Sequence, residues 1–414
     1  MSSRTSNENQ GALNGVRVLD LSRVLAGPWS TQLLADYGAS VIKVERPETG
    51  DDTRSWGPPW LKDQERNDTS DSAYFLSTNR NKRSLTADLA NGEGSQVVRD
   101  LAATCDVVVE NFRVGTLKRY GLDYGSLCDV NPSLIYCSIS AYGQSGVRAN
   151  QPGYDAMIQA SGGLMSVTGA ADEEGGTPQK VGVAIADIMA GMYATTAILA
   201  ALVARKESGQ GQHIDVPLYD SQVAWLANQN MNYLVGGVNP QRLGTAHPNI
   251  VPYQTFATAD SYLSLAVGND RQFRDCVHCL GLEELAEDQR FRDNTSRVQN
   301  RDLLVTLMAE AFSKADAADW LEKLAACGVP AGPINSIEDV FSEPYASERE
   351  MVRHLDRPDA DDIPTVANPV RFSTTPVSYR HAPPILGQHT DEILSIDLGY
   401  SQERIKALRR SGAI

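Results

Sequence analysis

Apolar and polar residues follow two alternating periods along the first part of the chain. Short apolar runs typical of buried strands, such as "VRVLDL" and "ASVIKVE", are followed by longer helix-like segments, such as "PWSTQLLADYG". The strand-like segments cover residues 16–21, 39–45, 84–89, 105–111 and 131–143. This alternation predicts an α/β fold with a Rossmann-like large domain built on a parallel sheet. Ligands of such sheets bind at the carboxyl ends of the strands.

The pattern changes after about residue 225. A strand-like segment at 261–268 is followed by helical segments around 272–280 and 315–326, which predicts a smaller α+β domain. Two proline-rich stretches, "DRPDADDIPTVANP" and "HAPPILGQHT", read as linkers before a last helix from about Ser401. We therefore expect a flexible tail (1–12), a large ligand-binding domain (13–225), a small domain (226–340) and a C-terminal segment (341–414) that returns to the large domain.

Length and charge narrow the class of protein. The 414 residues carry a formal net charge of −15, which argues against nucleic acid or a membrane surface as a partner. Six cysteines in mostly apolar surroundings suggest reduced thiols and no disulfides. The first ten residues lack the apolar core of a signal peptide. We expect a cytoplasmic protein, with the mitochondrial matrix as the less favoured alternative.

Basic residues concentrate in the first third of this acidic chain. They are Lys43, Arg46, Arg54, Arg80, Lys82, Arg83, Arg113, Lys118 and Arg119, all near predicted strand ends. Such an asymmetry indicates an anionic ligand, but ordinary surface ion pairs explain it equally well. Charge alone leaves both interpretations open.

Residues 179–212 form a long run of small apolar residues that contains a single acid, Asp187. The run from 188 to 204 includes Gly191 and Tyr193 and falls short of a convincing membrane span, so a buried helix is predicted. Asp187 stands near the start of that helix. Spacing alone leaves it as either a helix cap or a functional carboxylate.

Several common catalytic motifs do not occur in the chain. We find no G-x-G-x-x-G after the first strand, no P-loop and no G-x-S-x-G elbow, which weakens dinucleotide, phosphoryl-transfer and serine-hydrolase functions. The "CVHC" stretch at 276–279 has no second pair at metal-ligand spacing, so we interpret its cysteines as structural. No metal site is predicted.

Five motifs occur together and in order. They are "RVLAGP" (23–28), "GASVIKVERPETGDDTR" (38–54), "NRNKRSLTADL" (79–89), "VVVENFRVGTLKRYGLDY" (107–124) and "IYCSISAYGQSG" (135–146). Together they resemble the class III coenzyme A transferases, from about Leu13 to the end of the chain, where "PILGQHTDEIL" is also similar to that family. This resemblance implies coenzyme A as part of an acyl-CoA substrate, and two identical chains interlocked as a homodimer.

The resemblance also implies roles for individual residues. Asp187 is the implied nucleophile, which forms a mixed anhydride with the acyl group and then an aspartyl-CoA thioester. Small neighbours such as Ala186, Ala190 and Gly191 would leave room for the acyl chain. The implied CoA contacts are Leu25, Ala26, Arg46, Ala87, Asp88, Leu89, Ala90, Asn111, Phe112, Arg113 and Arg119. Of these, Arg46 and Arg119 are expected to bind phosphate.

The stretches 45–60, 244–256 and 332–341 are most similar to the succinyl-CoA:glutarate CoA-transferase branch. We therefore expect transfer of CoA from succinyl-CoA, or a similar dicarboxyl-CoA, to a dicarboxylic acid such as glutarate. Arg83, Tyr154 and His247 are candidates to bind the far carboxylate. A racemase of the same fold is one alternative, although Tyr154 stands where racemases have a histidine. A non-catalytic CoA-binding protein is another.

Overall fold

The computed structural model describes residues 11–414, so the predicted tail (1–12) lies outside the described residues except for Gly11 and Ala12. The strands in chain order are β1 (Arg17–Asp20), β2 (Ser40–Glu45), β3 (Trp60–Lys62), β4 (Asp68–Ser72), β5 (Lys82–Thr86), β6 (Val107–Glu110), β7 (Ile135–Ser140), β8 (Gln212–Pro217), β9 (Tyr253–Ala257), β10 (Tyr262–Ala266), β11 (Ala331–Pro333), β12 (Val352–Arg357) and β13 (Ala360–Val366).

The helices are α1 (Ala26–Asp36), α2 (Ala73–Leu76), α3 (Gly92–Ala102), α4 (Tyr124–Cys128), α5 (Asp155–Ser161), α6 (Ile185–Ser208), α7 (Leu218–Trp225), α8 (Asn228–Gly236), α9 (Asp270–Cys279), α10 (Glu284–Glu287), α11 (Asn294–Gln299), α12 (Arg301–Phe312), α13 (Ala317–Ala326), α14 (Ile337–Ser342), α15 (Pro344–Glu348), α16 (Thr390–Glu392) and α17 (Gln402–Arg410).

The chain divides into two compact units, of which the first contains residues 11–164, Val181–Asn230 and Tyr345–Ile414. The second contains Met165–Lys180 and Met231–Pro344. The sequence placed the corresponding boundaries at 225 and 340, and it assigned residues 165–180 to the large domain. These residues cluster instead with the second unit, where Arg242 donates to the carbonyl of Ala170.

A parallel sheet of six strands forms the centre of the first unit, in the order β5-β2-β1-β6-β7-β8. The chain runs outward from β1 through β2 to β5 and then crosses to β6, so the strand order reverses between β1 and β6. This is the order of the doubly wound Rossmann folds, and the predicted α/β class is confirmed. The sequence missed β8, because "QHIDVP" is an edge strand without a continuous apolar run.

Alternating side chains bury both faces of this sheet. Leu19 and Val108 pack on one face against α3 and α17, whereas Val18 and Val107 pack on the other against α1 and α6. Helix α17 contributes Ile405 and Leu408 to the first of these cores. The C-terminal segment therefore completes the core of the unit that contains the N-terminal strands.

The second unit is built on an antiparallel sheet in the order β11-β10-β9. Its core holds Phe273 and Cys276 of α9, Met308 of α12 and Trp320 of α13, all of them buried. The first cysteine of the "CVHC" stretch is thus a packed core residue, which fits its structural interpretation.

The first predicted linker is wrong, because residues 352–366 form the antiparallel hairpin of β12 and β13. Leu355 and Ile363 face each other in this hairpin and are buried. Pro358 lies at the turn, and Pro364 lies on a strand that has a free edge, where a missing N–H breaks no ladder. The prolines are therefore accommodated at the turn and within a strand of the hairpin, and they do not indicate an unstructured linker.

Helix α6 is, within residues 11–414, the helix whose length and apolar character would allow a membrane crossing. Its small residues, including Ala190 and Ala194, are buried in the core between the sheet and α1. Gly191 allows the two helices to approach closely, since a Cβ at this position would lie 2.6 Å from the carbonyl oxygen of Ala26. The small residues of α6 thus serve helix packing, and the expectation that Ala186, Ala190 and Gly191 also make room for an acyl chain stays a prediction.

Candidate active site

A cavity of about 430 Å³ opens where the strand order reverses, beyond the carboxyl ends of β1 and β6. Its walls come from the turn after β1, the loop after β6, the end of β7, the segment before α5, and the first turn of α6. The residues that matter below are Arg23, Val24, Leu25, Ala26, Asn111, Phe112, Arg113, Arg119, Tyr154 and Asp187. A site at this position is what a doubly wound sheet predicts.

Asp187 is the third residue of α6, and its carboxylate faces this cavity. Among residues 11–414, no group donates a hydrogen bond to the Asp187 carboxylate. The helix cap comes instead from Asp155, whose Oδ1 accepts a hydrogen bond of 2.8 Å from the backbone N–H of Ala186. Gln159 donates to the other oxygen of Asp155 at 2.7 Å. Because Asp155 does the capping, the interpretation of Asp187 as a structural cap is not needed.

The electrostatic surroundings of Asp187 are unusual for a carboxylate. Burial raises the pKa of Asp187 to about 7, and the nearby carboxylate of Asp155 raises it further. Burial also raises the pKa of the Tyr74 phenol to about 12, with an added contribution from Asp187. Tyr74 therefore stays protonated beside an anion. Strongly shifted groups in a cavity are typical of reactive sites.

Six of the implied CoA contacts line the cavity, namely Leu25, Ala26, Asn111, Phe112, Arg113 and Arg119. Arg113 and Arg119 are exposed and have no acidic partner among the described residues, so both are available to an anion. The Asn111 side chain, which was expected to contact CoA, bonds the backbone of Arg23 in this structure. Its amide accepts from the backbone N–H of Arg23 at 2.9 Å and donates to the carbonyl of Arg23 at 2.7 Å.

Arg46 and residues 87–90 do not line this cavity. Arg46 is exposed and follows β2 directly, while Ala87 is buried after the neighbouring strand β5. The backbone N–H of Ala87 donates to the carbonyl of Glu45 at 2.9 Å, so these two segments run side by side at the carboxyl edge of the sheet. Their contact with CoA stays a prediction.

The three candidates for the far carboxylate separate in the structure. Tyr154 lines the cavity, and 67% of its surface is exposed. Arg83 does not line the cavity and forms ion pairs with Glu392 at 3.0 Å and Asp397 at 2.8 Å, so its guanidinium is engaged with the C-terminal segment; a role in binding substrate stays a prediction. His247 belongs to the second unit, where its Nδ1 accepts from the backbone N–H of Asn249.

The basic cluster of the first third proves to be two different sets. Four of its members are buried in ion pairs: Lys43 with Asp51, Arg54 with Glu45 and Asp71, Arg80 with Asp36, and Lys82 with Asp20. Arg113, Lys118 and Arg119 are exposed instead. The cluster is therefore partly structural, and three of its exposed members lie in the segment after β6, while exposed Arg46 follows β2.

Two residues of the site escaped the sequence analysis. Arg23 lines the cavity, where its guanidinium lies over the Phe112 ring at 5.1 Å and pairs with Asp52 at 3.0 Å. Asp155 is the cap and the charged neighbour of Asp187. Arg23 lies within the "RVLAGP" motif, and Asp155 directly follows Tyr154, a candidate for the substrate pocket. Their neighbours in the sequence were therefore the signal that could have identified them as residues of the site.

The site and the fold together define a class of protein. The sequence profile of CoA-transferase family III matches residues 13–390, and the chain belongs to this family. It is therefore a CoA-transferase, and CoA thioesters are its substrates. The identification made from the motifs is confirmed, and catalysis of transfer distinguishes the chain from a non-catalytic CoA-binding protein.

Individual relatives match over nearly the whole chain. Succinate–glutarate CoA-transferase of Agrobacterium fabrum is 49% identical over 383 residues, which are 92% of this chain and 95% of that protein. Succinyl-CoA:glutarate CoA-transferase of Mus musculus is 45% identical over 402 residues, 97% of this chain and 90% of that protein. The crystal structure of a CAIB/BAIF family protein from Brucella suis has a TM-score of 0.81 and 47% identity, and the match covers 93% of this chain and 99% of that one.

Proposed function

We propose that this protein transfers CoA from succinyl-CoA to glutarate, with Asp187 as the nucleophile. The observation that carries the proposal is a carboxylate that accepts no hydrogen bond from residues 11–414, placed in a cavity lined by Arg113 and Arg119, which have no acidic partner in the same part of the chain. The two relatives named above for succinate or succinyl-CoA and glutarate support this choice of substrates.

The reaction needs one protein nucleophile. A carboxylate oxygen of Asp187 attacks the thioester carbonyl of succinyl-CoA, the C–S bond breaks, and CoA leaves as a thiolate. The thiolate attacks the aspartyl carbonyl of the mixed anhydride and releases succinate. Glutarate then attacks the aspartyl-CoA thioester, and the released thiolate attacks the glutaryl carbonyl of the new anhydride. Glutaryl-CoA forms and Asp187 is regenerated.

No general base is required in this sequence, because each attacking group is already an anion. Asp187 must be ionised and weakly solvated; burial provides the weak solvation, and its place in the first turn of α6 favours the ionised form. Arg113 and Arg119 would bind the phosphate groups of CoA. Tyr154, exposed on the cavity wall, would donate a hydrogen bond to the acyl group or to the acceptor acid. Racemases of this fold have a histidine as the second proton carrier where this chain has Tyr154, so the racemase alternative is not favoured.

A substrate screen tests the proposal. Succinyl-CoA is incubated with a panel of dicarboxylic acids, and each acyl-CoA product is measured by mass spectrometry. We expect glutaryl-CoA as the product with the highest kcat/KM, and a hydroxylamine-sensitive adduct at Asp187. Transfer that prefers another acid by more than about tenfold would overturn the glutarate assignment but not the nucleophile. Exchange of the acyl α-hydrogen in D₂O without transfer would favour a racemase.

The pH dependence follows from the pKa of Asp187. Since only the ionised carboxylate attacks, the rate of thiolate release should rise with pH and level off above about 7. In Asp155→Asn the remaining amide oxygen still accepts from Ala186, but the nearby negative charge is gone. We expect the midpoint of the profile to fall by up to about one pH unit. A single-turnover measurement of free thiol checks this, and an unshifted midpoint would contradict the role of Asp155.

We also propose that two chains associate, as the family resemblance implies. No residue of α8 or α14 is buried in the described chain. Leu234 is 71% exposed, Val235 79% and Ile337 79%, which is unusual for large apolar residues that have no partner. Light scattering should give a mass of twice the 44.9 kDa of one chain. A monomer at micromolar concentration would exclude a stable dimer.

A further inference from the structure

The turn between β1 and α1, residues 22–25, has a conformation that its sequence does not favour. Val24 has a φ of 70°, in the left-handed region, where a β-branched side chain clashes with its own backbone. Arg23, Val24 and Leu25 of this turn line the cavity that contains Asp187. A strained backbone persists only where its surroundings hold it.

Side chains from three other segments hold this turn. The backbone N–H of Val24 donates to both oxygens of Asp51, at 3.2 and 3.3 Å. Lys43 of β2 donates to Asp51 at 2.8 Å and to the carbonyl of Ser22 at 3.0 Å. Asn111, after β6, bonds both the N–H and the carbonyl of Arg23. Three consecutive residues are thus fixed through their backbone, regardless of their side chains.

Lys43 and Asp51 are almost fully buried, with 0% and 1% of their surfaces exposed. Burial alone would raise the pKa of Asp51, but the Lys43 charge and hydrogen bonds from Lys43 and Thr53 lower it to about 2. The pair is therefore ionised. Neither residue lines the cavity. A buried ion pair contributes little net stability compared with an apolar pair of similar volume. Stability alone therefore does not explain why Lys43 and Asp51 are buried here.

We propose that the Lys43–Asp51 pair, together with Asn111, is a positioning device that holds the turn of residues 22–25, with Val24 in its left-handed conformation, ready to receive acyl-CoA. The inference rests on the proposed placement of acyl-CoA in this cavity. A turn fixed before binding does not lose conformational freedom when the ligand arrives, so the device increases affinity for acyl-CoA. It does not touch the reacting atoms, and the chemical step proceeds without it once the ligand is bound.

The test compares Asp51→Asn with a matched control, Asp68→Asn, which removes an exposed partner of Lys62. For Asp51→Asn we expect KM for succinyl-CoA and Kd for free CoA to rise by about tenfold or more, with kcat within about twofold of wild type. The control should change neither. A fall in melting temperature with an unchanged KM would show that the pair is merely structural and would overturn the proposal.

A second variant provides a rescue. Glycine adopts positive φ as readily as negative φ, so Val24→Gly lets the turn reach the same conformation without being held there. In Val24→Gly/Asp51→Asn, KM should return at least halfway to the wild-type value on a logarithmic scale. An equal rise of KM in both backgrounds would contradict the positioning role.

If Asp51→Asn does not fold, Asn111→Ala takes its place, because Asn111 is only partly buried. The same KM-selective defect and the same rescue by Val24→Gly are expected. A defect that Val24→Gly leaves unchanged would assign Asn111 to direct ligand contact and overturn its part in the device. Failure of the proposed function looks different, since turnover would then persist in Asp187→Asn.

Discussion

Replacing Asp187 by asparagine is expected to lower CoA transfer by at least about a thousandfold. The amide has nearly the shape of the carboxylate but carries no charge, so it cannot form the anhydride or the aspartyl thioester. Affinity for CoA should change little, because Arg113 and Arg119 are untouched. Turnover measured with succinyl-CoA and glutarate, and a CoA titration of the same variant, check the two halves of this expectation. Turnover within tenfold of wild type would exclude Asp187 as the nucleophile.

The same variant should be more stable than wild type at alkaline pH. The folded-state pKa of Asp187, about 7, lies above its ordinary value of 3.8. Between these values the folded protein keeps a proton that the unfolded chain releases, so the wild type loses stability as pH rises through this window. Above pH 7 this cost is on the order of a few kcal/mol, and Asp187→Asn removes it. The melting temperature of the variant should exceed that of wild type at pH 8 but not at pH 4. An equal difference at both pH values would refute the raised pKa.

Replacing Gly191 by alanine is expected to damage both stability and activity. A methyl group there would lie 2.6 Å from the carbonyl oxygen of Ala26 and 3.2 Å from the ring of Trp29, so α1 and α6 must separate. Overpacking of this kind costs about 1–3 kcal/mol. Because Ala26 and Asp187 line the same cavity from these two helices, their separation also misplaces the nucleophile. We expect kcat to fall by up to about a hundredfold, since a shift of about 1 Å has that effect on positioned groups.

Gly92→Ala is the matched control for this variant. Gly92 is an exposed helical glycine at the start of α3, and an added Cβ would meet nothing within 4 Å. There alanine should leave kcat unchanged and raise stability by up to about 1 kcal/mol, through its higher helix propensity. Thermal unfolding measures the stability of both variants, and steady-state kinetics measure kcat of both. If Gly191→Ala behaves like Gly92→Ala, the close approach of α1 and α6 has no influence on catalysis.

Part of the site follows from sequence because its signals are local. The family resemblance implied Leu25, Ala26, Asn111 and Arg113 from the motifs that contain them. These residues follow strands that the apolar pattern predicts, and a parallel sheet brings such strand ends to one edge. The task of Asn111 was not local in this sense. Its partner Arg23 is 88 residues away, so the resemblance could imply a ligand contact for Asn111 but the sequence could not show the bond that fixes the turn.

The sequence by itself determined the α/β class, the order of the motifs and the presence of a lone acid in a small-residue helix, since periodicity and motif order need no tertiary contact. Only the tertiary structure decided which charges are free. Lys43, Lys82 and Arg83 resemble Arg113 and Arg119 in the sequence, yet the first three are paired, Arg83 with an aspartate 314 residues away. Likewise, Asp155 caps helix α6 through Ala186, which is 31 residues away in the sequence, and among residues 11–414 no group donates a hydrogen bond to Asp187. Whether a charged group is buried with a partner or exposed to a ligand depends on neighbours that are distant along the chain, and folding alone brings them together.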